Sequence, residues 1–167
     1  MLIETARLRL RPYEVTDIPA IVAGLNDWRI AQWLTRAPYP YAPPDAEAFL
    51  AHAAAVHAAG RFAIADKASD ALLGAIGLEH GTDVRELGYW LGIDHWRRGL
   101  MSEAVGAMVH HGFTAMGVRR LFATTDPDNA ASQRVLLKAG FRFVGDEPAE
   151  PPTRRGHATR SRFELVA

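Results

Sequence analysis

A polar turn between an apolar run and an amphipathic stretch contains the residues best suited to bind an anion. The turn, 94–99, carries Arg97, Arg98 and Gly99, and it follows the apolar run 87–93. After the turn, apolar side chains recur at helical spacing. Free backbone N–H groups and the positive end of a helix dipole meet at such a helix start and bind phosphate, and two arginines add positive charge. The simpler alternative is an ordinary strand–turn–helix joint with an exposed arginine pair, because the chain contains no GxGxxG or GxxxxGKS/T pattern.

A second joint of the same kind lies nearer the C-terminus. Its turn, 126–129, has the sequence Asp-Pro-Asp-Asn and precedes a predicted helix at 130–139. Either Asp128 or Asn129 can cap that helix. Ser132 lies in the first turn of the helix, so a side-chain hydroxyl accompanies the free N–H groups there.

Hydrophobic periodicity places both joints in a mixed α/β (α+β) fold, a central twisted sheet flanked by helices. Strands are predicted at 8–11, 61–65, 72–78, 87–93, 121–125, 141–144 and 160–166. Helices are predicted at 16–25, with Thr16 as the cap, and at 28–34, 45–58, 100–116 and 130–139. The first strands form an antiparallel meander, and helical crossovers join the later ones. Glycines at 88 and 92 predict a bulge in the central strand.

Size and composition narrow the classes of function. At 167 residues the chain is expected to form a single domain, 1–167. A formal net charge of zero argues against nucleic acid or an anionic membrane as the main partner. The chain has no cysteine, which excludes a disulfide framework and a thiolate nucleophile, and no metal site is predicted. Because no apolar run resembles a membrane span or a signal peptide, a cytoplasmic location is expected.

Both joints carry motifs that resemble those of a known enzyme family. WRRGLMSEA at 96–104 resembles the acetyl-CoA pyrophosphate loop of the GNAT acetyltransferases. DNAAS at 128–132, followed by AGF at 139–141, is similar to the second motif of that family. LRLR at 8–11, ELGYWL at 86–91 and the closing strand pair resemble the Rim-type branch, the ribosomal-protein N-terminal acetyltransferases. The resemblance covers nearly the whole chain and implies the GNAT fold with acetyl-CoA as co-substrate.

The resemblance also implies roles for individual residues. A splay of the sheet would open a gap in which the pantetheine arm pairs, like an extra strand, with the backbone of Trp90, Leu91, Gly92 and Ile93. The pyrophosphate would lie beside Arg97 and be held by the backbone N–H groups of Arg98, Gly99, Leu100, Met101 and Ser102. Asn129 would form a hydrogen bond with the cofactor near the acetyl group. Ser132 would lie near the sulfur and supply a hydrogen bond or proton to the departing thiolate.

Two positions depart from the family pattern. Met101 stands where Gly or Ala is usual, and Leu136 stands where many relatives carry a tyrosine that acts as general acid. The acid's role would then pass to Ser132 or to water. A base must also deprotonate the amine, and Glu86 is the first candidate because it opens the central strand on the same face as Trp90. The other candidates are water, Glu79, His80 and Glu150.

The leading hypothesis is therefore an acetyl-CoA-dependent N-acetyltransferase. A protein N-terminus, a small-molecule amine such as a polyamine or amino acid, and an antibiotic amine all fit as acceptors. The alternative is a non-catalytic acyl-CoA-binding regulatory domain of the same fold, which the leucine at position 136 and the uncertain base would explain. Both a monomer and a homodimer stay open, as in the Rim-type relatives.

Overall fold

The sheet is mixed, as predicted. The computed structural model describes residues 1–55, 60–79 and 81–167. Its strands are β1 (Ile3–Glu4), β2 (Leu8–Arg11), β3 (Arg61–Asp66), β4 (Leu72–Glu79), β5 (Val84–Leu91), β6 (Arg120–Thr125), β7 (Arg142–Pro148) and β8 (Thr159–Val166). Those strands form one sheet in the order β1-β2-β3-β4-β5-β6-β8-β7. Every neighbouring pair is antiparallel except β5 and β6, which run parallel.

Helices cover both faces of this sheet. They are α1 (Ile18–Leu25), α2 (Trp28–Ala31), α3 (Pro43–Ala55), α4 (Leu100–Thr114) and α5 (Ala130–Lys138). One core packs the apolar faces of α4 and α5 against the strands, and a second packs α1, α2 and α3 against the opposite face. Side chains of β5 alternate between the two cores, because Tyr89 and Leu91 contact the first and Trp90 contacts the second. None of the described helices has the length and apolar character needed to cross a membrane.

The sheet splays between its two parallel strands. Pairing of β5 with β6 ends at Glu86 opposite Phe122, although β5 continues to Leu91. On its other side β6 pairs with β8 over its whole length, from Arg120 opposite Val166 to Thr125 opposite Ser161. The edge of β5 beyond Glu86 therefore faces a gap, which is the splay that the family resemblance implied.

The predicted bulge in the central strand is wrong. Pairing of β4 with β5 runs without a shift from Gly74 opposite Leu91 to Glu79 opposite Glu86, and the irregularity lies instead between β3 and β4. The glycine that matters for this pairing is Gly74. A Cβ atom there would lie 2.2 Å from the Trp90 carbonyl oxygen, so the glycine permits a close approach of two backbones.

Several predicted helix boundaries also change. A short 3₁₀ helix, Val15–Asp17, precedes α1, so Thr16 is not the cap; instead the Glu14 N–H donates to Asp17 Oδ2 at 2.8 Å. The helix predicted at 28–34 ends at Ala31, since the following residues make only isolated turn bonds. The helix predicted at 45–58 begins at Pro43 and is described to Ala55, and the remaining predicted residues lie outside the described part. Helix α4 ends at Thr114, before the predicted position.

Strand boundaries differ where polar residues concealed the pattern. The central strand lies at Val84–Leu91 rather than at 87–93, and Ile93 begins a short 3₁₀ helix, Ile93–His95. Strand β7 extends to Pro148 because its polar last residues still pair with β8, from Gly145 opposite Arg162 to Pro148 opposite Thr159. The two residues of β1 are too few to produce a periodic signal.

Candidate active site

The splay opens into a large cavity. Its volume is about 1100 Å³, and it reaches from the turn before α4 to the side chains of the three helices on the opposite face. Residues of β4, β5, the end of β6 and the start of α5 line its middle. The cavity therefore brings together both strand–turn–helix joints that the sequence singled out.

The start of α4 presents unpaired backbone donors to this cavity. Gly99 is the N-cap in the left-handed conformation (φ 74°), and Arg97 also has positive φ (59°). The first intrahelical bond closes between the Glu103 N–H and the Gly99 carbonyl at 3.1 Å. N–H groups before Glu103 consequently have no intrahelical acceptor. Arg97 and Arg98 are exposed beside them, so the turn has the predicted geometry of an anion site.

Residues near the N-terminus, distant in sequence from this turn, hold it in place through hydrogen bonds. Arg7 donates from Nη1 to the Arg98 carbonyl at 2.9 Å and from Nε to Glu103 Oε2 at 2.7 Å. Thr5 Oγ1 lies 2.6 Å from Glu103 Oε1. Burial alone would raise the pKa of Glu103, but the hydrogen bonds from Thr5 and Arg7 outweigh it and lower that pKa. The acidic residue in the first turn of α4 favours a helix start there, but it does not identify Thr5 and Arg7 as its partners.

Only some backbone N–H and C=O groups at the end of β5 point into the gap, where a ligand could bind. The Gly92 N–H donates to the Leu73 carbonyl at 2.8 Å, so Gly92 points toward β4. Antiparallel pairing alternates in direction, so the backbone groups of Trp90 also point to β4 and those of Leu91 point to the gap. The Leu91 carbonyl accepts from Trp96 Nε1 at 2.7 Å. Because the Leu91 carbonyl is already paired, the Leu91 N–H is the group of that residue that can donate to a ligand in the gap.

Asn129 and Ser132 meet at the start of α5. Asn129 Oδ1 accepts from the Ser132 N–H at 3.1 Å, which confirms the predicted cap and leaves the Asn129 amide nitrogen outside that bond. The Ser132 hydroxyl lies 2.8 Å from the hydroxyl of Tyr89 on β5. Burial raises the pKa of Tyr89 to about 12, against a smaller opposing effect of this hydrogen bond. Leu136 is fully buried in the core, whereas Tyr89, which the sequence reasoning missed, brings a tyrosine hydroxyl from another element.

The two strand carboxylates considered as bases are ion-paired at the cavity wall. Glu79 and Glu86 lie opposite each other on β4 and β5, and Arg36 contacts both, with Nη1 2.7 Å from Glu79 Oε2. Arg61 Nη2 lies 3.1 Å from the other Glu79 oxygen. Burial alone would lower the pKa of Arg36, but its hydrogen bonds and charge contacts with Glu86 and Glu79 outweigh it and raise that pKa. Glu150 is exposed and does not line the cavity, and His80 lies outside the described residues.

The loop at 149–158 contacts the end of α2 and the residues that follow it. Arg154 Nη1 donates to the Ala31 carbonyl at 2.9 Å. The Arg155 guanidinium lies 4.9 Å from the ring of Trp33 and donates from Nη1 to Gln32 Oε1 at 2.7 Å. The loop is therefore attached to the helical side of the site through both arginines.

The same loop is also tied to the turn before α5. His157 Nε2 lies 2.9 Å from Asp128 Oδ2, and Arg155 lies 3.2 Å from the same oxygen, and these hydrogen bonds lower the pKa of Asp128. Ligand-type atoms of Asp126, Asp128 and His157 lie within 4.8 Å of one another. Because Arg155 supplies positive charge there, we assign the cluster to loop attachment, and the absence of a metal stays a prediction.

Comparison with known proteins settles the family. The model of the acetyltransferase (GNAT) domain matches residues 7–142. The chain belongs to the GNAT acetyltransferase family. It is 28% identical over 146 residues to p20 of Bacillus licheniformis, an uncharacterized N-acetyltransferase, covering 84% of this chain and 82% of that protein. It is 34% identical over 79 residues to the ribosomal-protein-serine acetyltransferase of Escherichia coli, covering 46% of this chain and 44% of that protein.

The fold of this GNAT chain matches solved structures over its whole length. A GNAT-family acetyltransferase from Bacillus anthracis aligns with a TM-score of 0.87 at 24% identity, covering 99% of this chain and 98% of that one. The alignment confirms the predicted fold. The family model and the Escherichia coli relative confirm the resemblance to the GNAT family and its Rim-type branch. Neighbours in this fold bind coenzyme A or acetyl-CoA. Membership therefore supports acetyl-CoA-dependent N-acetyl transfer in general.

Proposed function

We propose that this GNAT protein, acting as one domain over 1–167, transfers an acetyl group from acetyl-CoA to a primary amine by direct attack in a ternary complex. The observation that carries the proposal is the gap between β5 and β6, in which the Leu91 N–H and the Ser132 hydroxyl face one cavity. The diphosphate of the cofactor would lie on the N–H groups that begin α4, beside Arg97 and Arg98. The pantetheine arm would then extend along the open edge of β5.

Acetyl transfer from a thioester requires hydrogen-bond donors at the reacting atoms but no strong acid. Attack of a neutral amine on the thioester carbonyl gives a tetrahedral oxyanion, for which the Leu91 N–H is the proposed donor. Collapse of that intermediate breaks the C–S bond and leaves the electron pair on sulfur. Ser132 would stabilise the thiolate by a hydrogen bond, and since thiols have a pKa of ~8.5, no strong acid is needed. Asn129 would hold the cofactor near the acetyl group through its amide nitrogen.

Glu86 is the proposed base for the amine, acting directly or through water. It lies on the face of β5 that carries Trp90 and borders the acceptor side of the cavity. Its side chain is only 15% exposed and pairs with Arg36, so the pairing must loosen when the acceptor enters. Glu79 shares Arg36 and is the second candidate, followed by water and Glu150.

The acceptor is proposed to be a protein N-terminus or a small-molecule amine. The Escherichia coli relative is a ribosomal-protein-serine acetyltransferase, which supports the first class. The aromatic lining beyond Trp90, with Trp33, Tyr41 and Phe49, supports an acceptor whose amine enters an apolar pocket. A cytoplasmic location and a homodimer remain predictions of the same proposal.

A non-catalytic acyl-CoA-binding domain is the second candidate function. Two observations favour it: Leu136 lacks the usual acid, and Arg36 holds Glu86 in an ion pair. The intact Asn129 and Ser132 favour the enzyme. Tight binding of coenzyme A without turnover on any amine class would identify the second candidate.

Thermal melting with acetyl-CoA, coenzyme A and NADH tests the cofactor part of the proposal. A ligand at 100 times its Kd stabilises the folded state by ~2.7 kcal/mol, a shift of several degrees. We expect a shift with acetyl-CoA and coenzyme A but none with NADH. No shift with any of the three would reject both candidate functions.

A further inference from the structure

The hydroxyl of Tyr89 is the one tyrosine hydroxyl in direct contact with Ser132 in the described part of the chain. Its Oη lies 2.8 Å from Ser132 Oγ, although the two residues are far apart in sequence and belong to different elements, β5 and α5. Both side chains line the cavity that the splay opens. The contact therefore bridges the two strand–turn–helix joints at the level of the proposed reaction.

The acidity of the two hydroxyls favours one direction for the proton of this contact. Two acceptors lie near Tyr89 Oη: Ser132 Oγ at 2.8 Å and the Ser132 carbonyl at 3.4 Å. The shorter distance is that of a good O–H···O bond, while the longer one is weak. A phenol is also a stronger acid than an aliphatic hydroxyl, so it is the preferred donor of the pair. The Ser132 hydroxyl then accepts from Tyr89, and it can donate its own proton to a group in the cavity.

We propose that Tyr89 is a positioning residue for acetyl transfer: its hydroxyl donates to Ser132 Oγ and so directs the Ser132 proton at the sulfur of the departing thiolate. This inference rests on the proposed function. It also accounts for Leu136, which lies in the core with no exposed surface. The tyrosine hydroxyl that many relatives place on this helix is replaced by one from the neighbouring strand.

The transfer step balances without loss of the Tyr89 proton. The amine nitrogen forms the new bond to the carbonyl carbon, the C–S bond breaks, and sulfur keeps the electron pair. The amine proton leaves to the base, and the thiolate accepts the Ser132 hydrogen bond. Because burial raises the pKa of Tyr89, the phenol stays protonated and keeps the proton that it donates to Ser132.

A double-mutant cycle in kcat tests this role. Tyr89→Phe removes the hydroxyl and keeps the ring, and we expect it to lower kcat about tenfold with little change in the KM for acetyl-CoA, the size of one lost hydrogen bond. In a Ser132→Ala background the same change should have no further effect, because Tyr89 acts through Ser132. A purely structural role would instead lower kcat by the same factor in both backgrounds, and that result would overturn the proposal.

Ser161→Ala is the matched control. Ser161 Oγ bonds Asp146 Oδ1 at 2.8 Å on β7 and β8, and Ser161 does not line the cavity. This variant removes a hydroxyl bond of equal length and is expected to keep kcat and KM. Calorimetry with coenzyme A on every variant checks that the cofactor site is folded.

The experiment separates this inference from the proposed function. A wild-type protein that binds acetyl-CoA but acetylates no amine would overturn both. An active wild type whose Tyr89→Phe variant keeps its kcat would overturn only the role of Tyr89. An active wild type with the non-additive loss described above would support both.

Discussion

Replacing Gly99 with valine is expected to weaken coenzyme A binding beyond its effect on the fold. Gly99 has φ 74°, and a Cβ atom there would meet no atom closer than Arg7 Nη2 at 3.6 Å. The loss of folding stability therefore comes from an unfavourable backbone conformation rather than from a steric clash. A non-glycine residue in this region costs about 1–2 kcal/mol, which lowers Tm by roughly 2–8 °C for a chain of this size.

The loss of affinity follows from the donors that Gly99 orients. A valine that leaves the left-handed region rotates the first N–H groups of α4 away from the diphosphate. A charge-assisted hydrogen bond contributes about 1.5–3 kcal/mol, so loss of one raises the Kd for coenzyme A by at least about tenfold. Isothermal titration calorimetry with coenzyme A measures that change directly.

Gly117 provides the matched control for strain. Its φ is 66°, and a Cβ atom there would meet no heavy atom within 4 Å. Gly117→Val is expected to lower Tm by a similar amount while the Kd for coenzyme A stays unchanged. Gly99→Asn should recover much of the affinity, because asparagine tolerates the left-handed region. An unchanged Kd in Gly99→Val, with the Tm lowered as in Gly117→Val, would refute the assignment of the phosphate loop.

Two further predictions concern ionisable groups that line the cavity. Glu86→Gln should lower kcat by about 100-fold if Glu86 is the base, and a larger loss in Glu79→Gln, measured with the same acceptor, would transfer the role to Glu79. Stability should fall between about pH 10 and pH 12, because the unfolded chain loses the Tyr89 proton near pH 10 while the folded protein keeps it to about 12. This shift in pKa corresponds to about 2–3 kcal/mol of folding stability. Denaturant titrations at several pH values should show a smaller fall in the free energy of unfolding for Tyr89→Phe than for the wild type. An equal fall in both proteins would contradict the burial of the phenol.

Local signals made much of the site predictable from the sequence. A glycine before a helix and an asparagine three residues before a serine each determine the conformation of a few neighbouring residues. Both strand–turn–helix joints were predicted for that reason, and of the two candidate caps, Asp128 and Asn129, it is Asn129 that caps α5. The family motifs extended the prediction to the splay, which periodicity alone does not reveal.

The contacts that were missed all join residues distant in the chain. Arg7 reaches Glu103, Tyr89 reaches Ser132, and Arg36 bridges Glu79 and Glu86. No local propensity encodes such pairs, because they arise only when the sheet order brings the elements together.

The bulge in the central strand was predicted incorrectly because the role of a strand glycine also depends on distant contacts. Glycine in a strand permits either an irregular register or a close backbone approach, and the sequence does not distinguish the two. Close approach explains Gly74, where a Cβ atom would lie 2.2 Å from the Trp90 carbonyl oxygen, but not Gly88, where a Cβ atom would meet no heavy atom within 4 Å.

The most direct test of the account is amine-dependent release of thiol from acetyl-CoA. The acceptors would be peptides with free N-terminal serine or alanine, a polyamine, an amino acid and an aminoglycoside, with each product identified by mass spectrometry. The account predicts turnover on at least one class, and a Ser132→Ala variant with kcat lowered about tenfold or more and little change in the KM for acetyl-CoA. Binding of acetyl-CoA without amine-dependent thiol release on any class would contradict the catalytic claim.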